Sequence, residues 1–311
     1  MSEDKLAKVK AGVSANGAEV EVELSKEVPG VLASLFPTTA LRSRMRQAVS
    51  GHIFGKLNSG QPVDEADLEY LDDLLKPAEA KWIRQKAICE RAAKILEESP
   101  ARLALPPHRT DEHNENDRPD DDWRAKFWDD AGLVSHERLR EIYARILVAE
   151  ATKPGSCSMR TLKAIRYLDP KTANLFAKLI PFAYSSHWIP TEPTLLEKYG
   201  IQHSSLLELN DAELLNLTSL QITPKTEPSY YDWGKMLIRF DNMKGVPIAC
   251  YVLTSAGREL ARVAEVERDP AYLADTVQLL KRKKSGVRVF SAQRPDAAED
   301  RPVDSLTWTE L

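Results

Sequence analysis

KMLIRFDNMKGVPIACYVLTSAGRELARVAEV, Lys235 to Val266, is the stretch that decides the fold reading. Lys235 to Phe240 and Val246 to Leu253 each alternate or run apolar at strand length, and DNMKG between them has hairpin-loop composition. Thr254 or Ser255 then caps a helix that carries Leu260 and Val263. Upstream, Trp188 to Leu220 holds short helical pieces around Leu195 and Leu206 to Leu217. A helix pair, a β hairpin and a closing helix is the order of a winged-helix module. Downstream, Asp269 and Pro270 open a helix with Tyr272, Leu273, Val277 and Leu280, and the basic run KRKKSGVRV leads from it to a candidate strand. The module is expected over residues 185–293, with a mobile, proline-punctuated tail over 294–311.

The preceding segment reads as a compact helical array over 123–184. Trp123, Phe127 and Ala131 recur every four residues, Gly132 ends that helix, and Ser135 with Glu137 opens the next, striped by Leu139, Ile142 and Ile146. Pro154 and Gly155 break the chain, and Asp169 with Pro170 starts a later helix. Residues 101–122 form an acidic, proline-containing linker. Residues 1–100 read as an all-α region: a helix capped by Asp64 and stopped before Pro77, a longer helix after it, and a basic amphipathic helix from Leu41 to Leu57. The fold class expected is therefore mainly α with a small β hairpin.

Composition bounds the function. The chain has 311 residues, 29% of them charged, and a formal net charge of −4, so attraction to nucleic acid or lipid must come from a local patch. Cys89, Cys157 and Cys250 are odd in number and far apart, which fits neither a disulfide framework nor a zinc motif and points to a reducing cytoplasm. MSEDKLAKVKAG lacks an apolar signal core. No GxxxxGK, GxGxxG, HExxH or GxSxG pattern occurs, so neither a catalytic residue nor a metal or cofactor site is expected. His108 and His113 lie in the linker, where a solvated tract outweighs a metal site; Asp120 to Asp122 complement a helix dipole more readily than they hold a cation. Cys157 reads as a structural small residue.

Three features remain. The five cations Lys281, Arg282, Lys283, Lys284 and Arg288 are a candidate anion-binding patch, set against the simpler reading of a solvated helix end that complements its dipole. Arg42, Arg44, Arg46 and Lys56, behind the apolar VLASLF of Val31 to Phe36, suit an anionic membrane surface, set against a helix packing into its own core. The winged-helix order suits DNA, but His187 to Leu220 carries Glu192, Glu197, Glu208, Asp211 and Glu213 against Lys198, a charge of about −4 that repels phosphate.

WRAKFWDDAGLVSHERLREIYARILVAEATKPGSCSMRTLKAIRYLDPKTANLFAKLI, Trp123 to Ile180, resembles a widespread bacterial family known only as a domain of unknown function. The elements that carry the resemblance are the acidic aromatic helix with Trp123 and Phe127, the Pro154 and Gly155 turn, Ser158, Arg160, Thr161 and Leu162, and the LTSAGREL motif with Thr254 and Gly257. The resemblance spans roughly 120–290 and implies a prophage or host-defence context, with no catalytic residues assigned. The function expected is a non-catalytic, cytoplasmic sensor or adaptor of an anti-phage or phage-related system, acting through contacts with another protein, either a second defence component or a phage protein, with self-association as a further mode. A nucleic-acid-binding winged-helix regulator and a sensor peripheral to an anionic membrane are the alternatives.

Overall fold

The computed structural model describes residues 65–98, 120–191, 193–264, 266–293 and 305–311. The basic helix of Leu41 to Leu57 and most of the acidic linker lie outside the described residues. The described residues divide into two compact units, the first ending at Pro154 and the second beginning at Gly155. The division thus falls inside the stretch 123–184 read above as one array.

The first unit is helical. α1 (Glu65–Glu98) passes through Pro77 without ending, so the two helices expected there are one. A proline removes one backbone hydrogen bond and strains the turn before it, whereas beyond it the helix buries Gln85, Ile88, Cys89, Ala92, Ala93, Ile95 and Leu96. Packing downstream outweighs the local break. α2 (Asp121–Ala131) is capped by Asp120, whose Oδ1 accepts from the Asp122 and Trp123 amides at 2.8 and 3.1 Å. α3 (Glu137–Thr152) is capped by the His136 ring, not by Ser135. Trp123 stacks on Phe127 with ring centres 5.0 Å apart, and Phe127 meets Trp128 and Tyr143 at 4.9 and 5.5 Å. Arg91 and Arg145 both bind the Glu141 carboxylate, tying α1 to α3. Burial pushes that carboxyl up, but the Arg91 hydrogen bond and the two guanidinium charges outweigh it, and the group lies below its ordinary range.

The second unit overturns the expected fold class. Its order is α4 (Met159–Arg166), α5 (Pro170–Leu179), β1 (Trp188–Pro190), α6 (Pro193–Lys198), α7 (His203–Asp211), β2 (Leu215–Ile222), β3 (Ser229–Trp233), β4 (Met236–Asp241), β5 (Ile248–Leu253), α8 (Ser255–Val263), α9 (Pro270–Lys283), β6 (Arg288–Gln293) and β7 (Thr309–Glu310). Two antiparallel sheets form, β1-β5-β2 and β3-β4-β6-β7, in place of a mainly α protein with one small hairpin. The hairpin between Lys235–Phe240 and Val246–Leu253 does not exist, because β4 and β5 belong to different sheets. The winged-helix order rested on that pairing and falls with it. The real hairpin is β3 to β4, with Trp233 opposite Met236 across Gly234 and Lys235 and Gly234 at φ +66°. DNMKG crosses between sheets instead: Met243 is fully buried and Gly245 N donates to Pro224 O, so the loop is anchored in the fold and does not turn the chain back on itself. Residues 309–310, read as part of a mobile tail, pair with β6 at Phe290 and Ser291.

Between the sheets Tyr184 stacks on Trp188 at 4.7 Å and approaches Trp233 and Phe240 at 6.4 and 6.2 Å. Arg268 donates to the carbonyls of Ile180 and Ala183 at 2.5 and 2.9 Å and closes the end of the turn after α5. Burial lowers its pKa to about 10, so it stays charged at neutral pH.

Candidate functional site

β strands alternate their side chains between two faces, and the four-stranded sheet has one face inside and one outside. Trp233, Ile238, Phe240 and Val289 point inward and are fully buried. The opposite face carries a row running across three strands, Tyr230 opposite Arg239 and Arg239 opposite Phe290, with Glu310 beyond. The Arg239 guanidinium lies 5.2 Å from the Phe290 ring centre and 5.9 Å from that of Trp308, and Trp308 lies 5.8 Å from Tyr230. Asp241 holds the Arg239 fork by two bonds, 2.7 and 2.8 Å. Arg288 sits 3.6 Å from the same carboxylate and 5.6 Å from the Phe290 ring. Three rings and two guanidiniums therefore share one face, each Arg within 6 Å of a ring centre.

The basic run lies at the entrance to this sheet. Lys281, Arg282 and Lys283 occupy the last turn of α9, where they complement the helix dipole, and the chain turns at Gly286 straight into Arg288 of β6. Arg282 and Lys283 are exposed. Lys281 donates to Leu311 O at 2.8 Å. The other half of the expected anion patch, Arg42, Arg44, Arg46 and Lys56, lies outside the described residues.

The motif residues form scaffold, with one exception. Trp123 and Phe127 are core rings of the first unit. Pro154 and Gly155 form the turn at its end, Gly155 taking φ +79°. Thr254 caps α8, accepting from Gly257 N at 3.0 Å and donating to Glu213 O at 2.6 Å. A Cβ on Gly257 would lie 2.1 Å from the Leu214 carbonyl oxygen, so only glycine lets α8 approach that closely. Ser158 begins α4, and Thr161 and Leu162 are fully buried. The exception is Arg160, which lies exposed on α4 beside Met159, Lys163, Arg166 and Tyr167.

Sequence reasoning missed Glu259. Its carboxylate accepts from Ser158 N at 2.6 Å and from Thr161 Oγ1 at 2.5 Å, so the glutamate of LTSAGREL anchors the start of the Ser-x-Arg-Thr-Leu helix, 101 residues away from Ser158 in sequence. The two stretches that carried the resemblance meet in space. The model of the family described as Protein of unknown function (DUF2806) matches residues 91–277. The chain belongs to the DUF2806 family. In DUF2806 terms the match begins within α1 and ends within α9, so it includes Tyr230, Arg239 and Asp241 but not the basic run, Phe290 or Trp308. No curated protein and no solved structure matches the chain.

Among the described residues no group of three His, Cys, Asp or Glu could hold a metal ion, and no helix is long and apolar enough to cross a membrane. Cys89, Cys157 and Cys250 are buried thiols. Burial pushes the Cys89 and Cys250 pKa values up, which disfavours the thiolate.

Proposed function

We propose that this DUF2806 protein is a non-catalytic binding protein that engages nucleic acid through the outer face of its four-stranded sheet. One observation carries the reading: Arg239 and Arg288 lie against the Phe290 ring in the Tyr230, Arg239, Phe290 and Trp308 array, and the basic run Lys281 to Lys284 leads into the same strand, with Lys281 bound to Leu311 O. Cations supply phosphate contacts and rings supply base contacts, the two parts of a nucleic-acid surface. The acidic segment His187 to Leu220, which argued against DNA, contributes its strands β1 and β2 to the other sheet. The defence or phage context rests on the family resemblance alone.

Anisotropy of a labelled oligonucleotide at 50 and 200 mM salt tests this. Four phosphate contacts on a single strand predict a fall of about 50-fold in affinity across that range. Charge reversal at Arg282 and Lys283 should weaken binding, and binding that is absent or indifferent to salt refutes the reading. A second reading, an adaptor acting through a protein partner, is favoured by α4, where Tyr167 is 75% and Met159 47% exposed beside Arg160 and Lys163. Retention of a partner by the wild-type chain but not by Tyr167→Ser, with no oligonucleotide binding, would support it.

A further inference from the structure

We infer that the Tyr230, Arg239 and Phe290 row is a base-stacking site for single-stranded nucleic acid, and that Trp308 is a displaceable cover over it. The inference rests on the nucleic-acid reading above and adds the strandedness of the ligand and the control of the site.

Stacking on an aromatic ring requires an unpaired base, because a duplex hides its base faces and offers phosphates and groove edges only. The row offers two rings, on β3 and β6, flanking a guanidinium on β4 that is itself planar and lies over the Phe290 ring, 5.2 Å from its centre. The Asp241 carboxylate fixes the guanidinium in that orientation through both of its oxygens. Fixed planar groups side by side on a sheet make a platform of low conformational entropy, suited to successive bases. The Lys281 to Lys284 run at the α9 end provides the charge that tracks the backbone.

Trp308 already makes the contacts that an incoming base would make. Its ring lies 5.8 Å from Tyr230 and 5.9 Å from the Arg239 guanidinium. The described bonds of the segment that carries it lie at the surface: two paired residues in β7, both exposed, the Leu311 N to Val289 O bond at 2.8 Å, and the Lys281 bond to Leu311 O. An exposed edge pairing of two residues opens more readily than a buried strand. The same segment that covers the rings also engages Lys281, so its release frees a stacking position and a cation together. A single strand that binds only the uncovered face shifts the segment outward by its differential affinity, and the covered fraction lowers the apparent affinity of the intact chain.

The test compares the full chain with a variant that ends at Asp304 and with Trp308→Ala, each titrated with a short oligothymidylate and with a duplex of equal length. Circular dichroism checks that each variant is folded. Removal of residues 305–311 should tighten single-strand binding about tenfold or more, Trp308→Ala should reproduce most of that gain, and duplex affinity should change less than threefold. Unchanged or weaker single-strand binding in both variants overturns the cover and makes Trp308 either irrelevant or part of the platform. An equal gain for duplex and single strand overturns base stacking. If neither the full chain nor the variants bind either probe, the nucleic-acid reading fails and this inference fails with it.

Discussion

Replacing Glu259 by alanine removes the contact that joins α8 to the start of α4. Two hydrogen bonds to a carboxylate are lost, from Ser158 N and Thr161 Oγ1, and the hydroxyl of the fully buried Thr161 keeps only a long 3.4 Å contact with Ser158 Oγ. Hydrogen bonds to charged groups contribute roughly 1.5–3 kcal/mol each, and a buried hydroxyl left without a partner costs about 1–3 kcal/mol. Partial compensation by water at the Ser158 amide brings the expected loss to about 3 kcal/mol, a large part of the roughly 5–15 kcal/mol of a whole domain. For a unit of this size each 1 kcal/mol lowers the midpoint by about 2–4 °C, so Glu259→Ala should melt about 6–12 °C earlier. Thermal melts by circular dichroism, with urea titrations for the free energy, give the number. A double-mutant cycle with Thr161→Val isolates the contact: with both partners gone no hydroxyl is stranded, so the coupling should reach about 1 kcal/mol or more. A midpoint shift under about 2 °C, or strict additivity of the two substitutions, refutes the bridge between the two motifs.

Gly257→Ala should cost about 2–3 kcal/mol, read from the urea midpoint, because the added carbon meets the Leu214 carbonyl oxygen at 2.1 Å and backbone does not yield cheaply. Glu141 is depressed below its ordinary 4.5, so its contribution is fully present above about pH 4.5 and is lost as pH falls through the folded-state value; Glu141→Gln should flatten the acid limb of a stability-versus-pH curve for the first unit. Burial first, then the Arg258 and Arg262 charges, hold His187 below its ordinary 6.5. The neutral ring is the folded form, so this term is present above pH 6.5 and lost on acidification; an NMR titration of the ring should place its midpoint under 6.5, and a midpoint above that value would show that Arg258 does not face it.

The helices were legible because their determinants are local. Asp169 accepts from Thr172 N, Thr254 from Gly257 N and Asp120 from Trp123 N, each cap reading the chain two or three residues on, and an apolar period of 3.6 needs no knowledge of the partner that covers it. The stacked pair Trp123 and Phe127 and the buried Leu162 follow from the same period, whereas Thr161 is marked only by the family resemblance. The sheets were not legible for the opposite reason. β5 satisfies its backbone with β1 and β2, some 60 and 30 residues upstream, and nothing in VPIACYVL states which of several apolar segments will be opposite it. Nearness in sequence favoured β4, and that choice erased a whole sheet from the expectation. The same holds for the surfaces. That KRKK is basic, that YYDW is aromatic and that Glu259 lies in a helix are properties of sequence. That Arg239 lies over Phe290, that Trp308 comes within 5.9 Å of the same guanidinium and that Glu259 reaches Thr161 are properties of strand register and helix packing, fixed only when distant segments exclude water from each other.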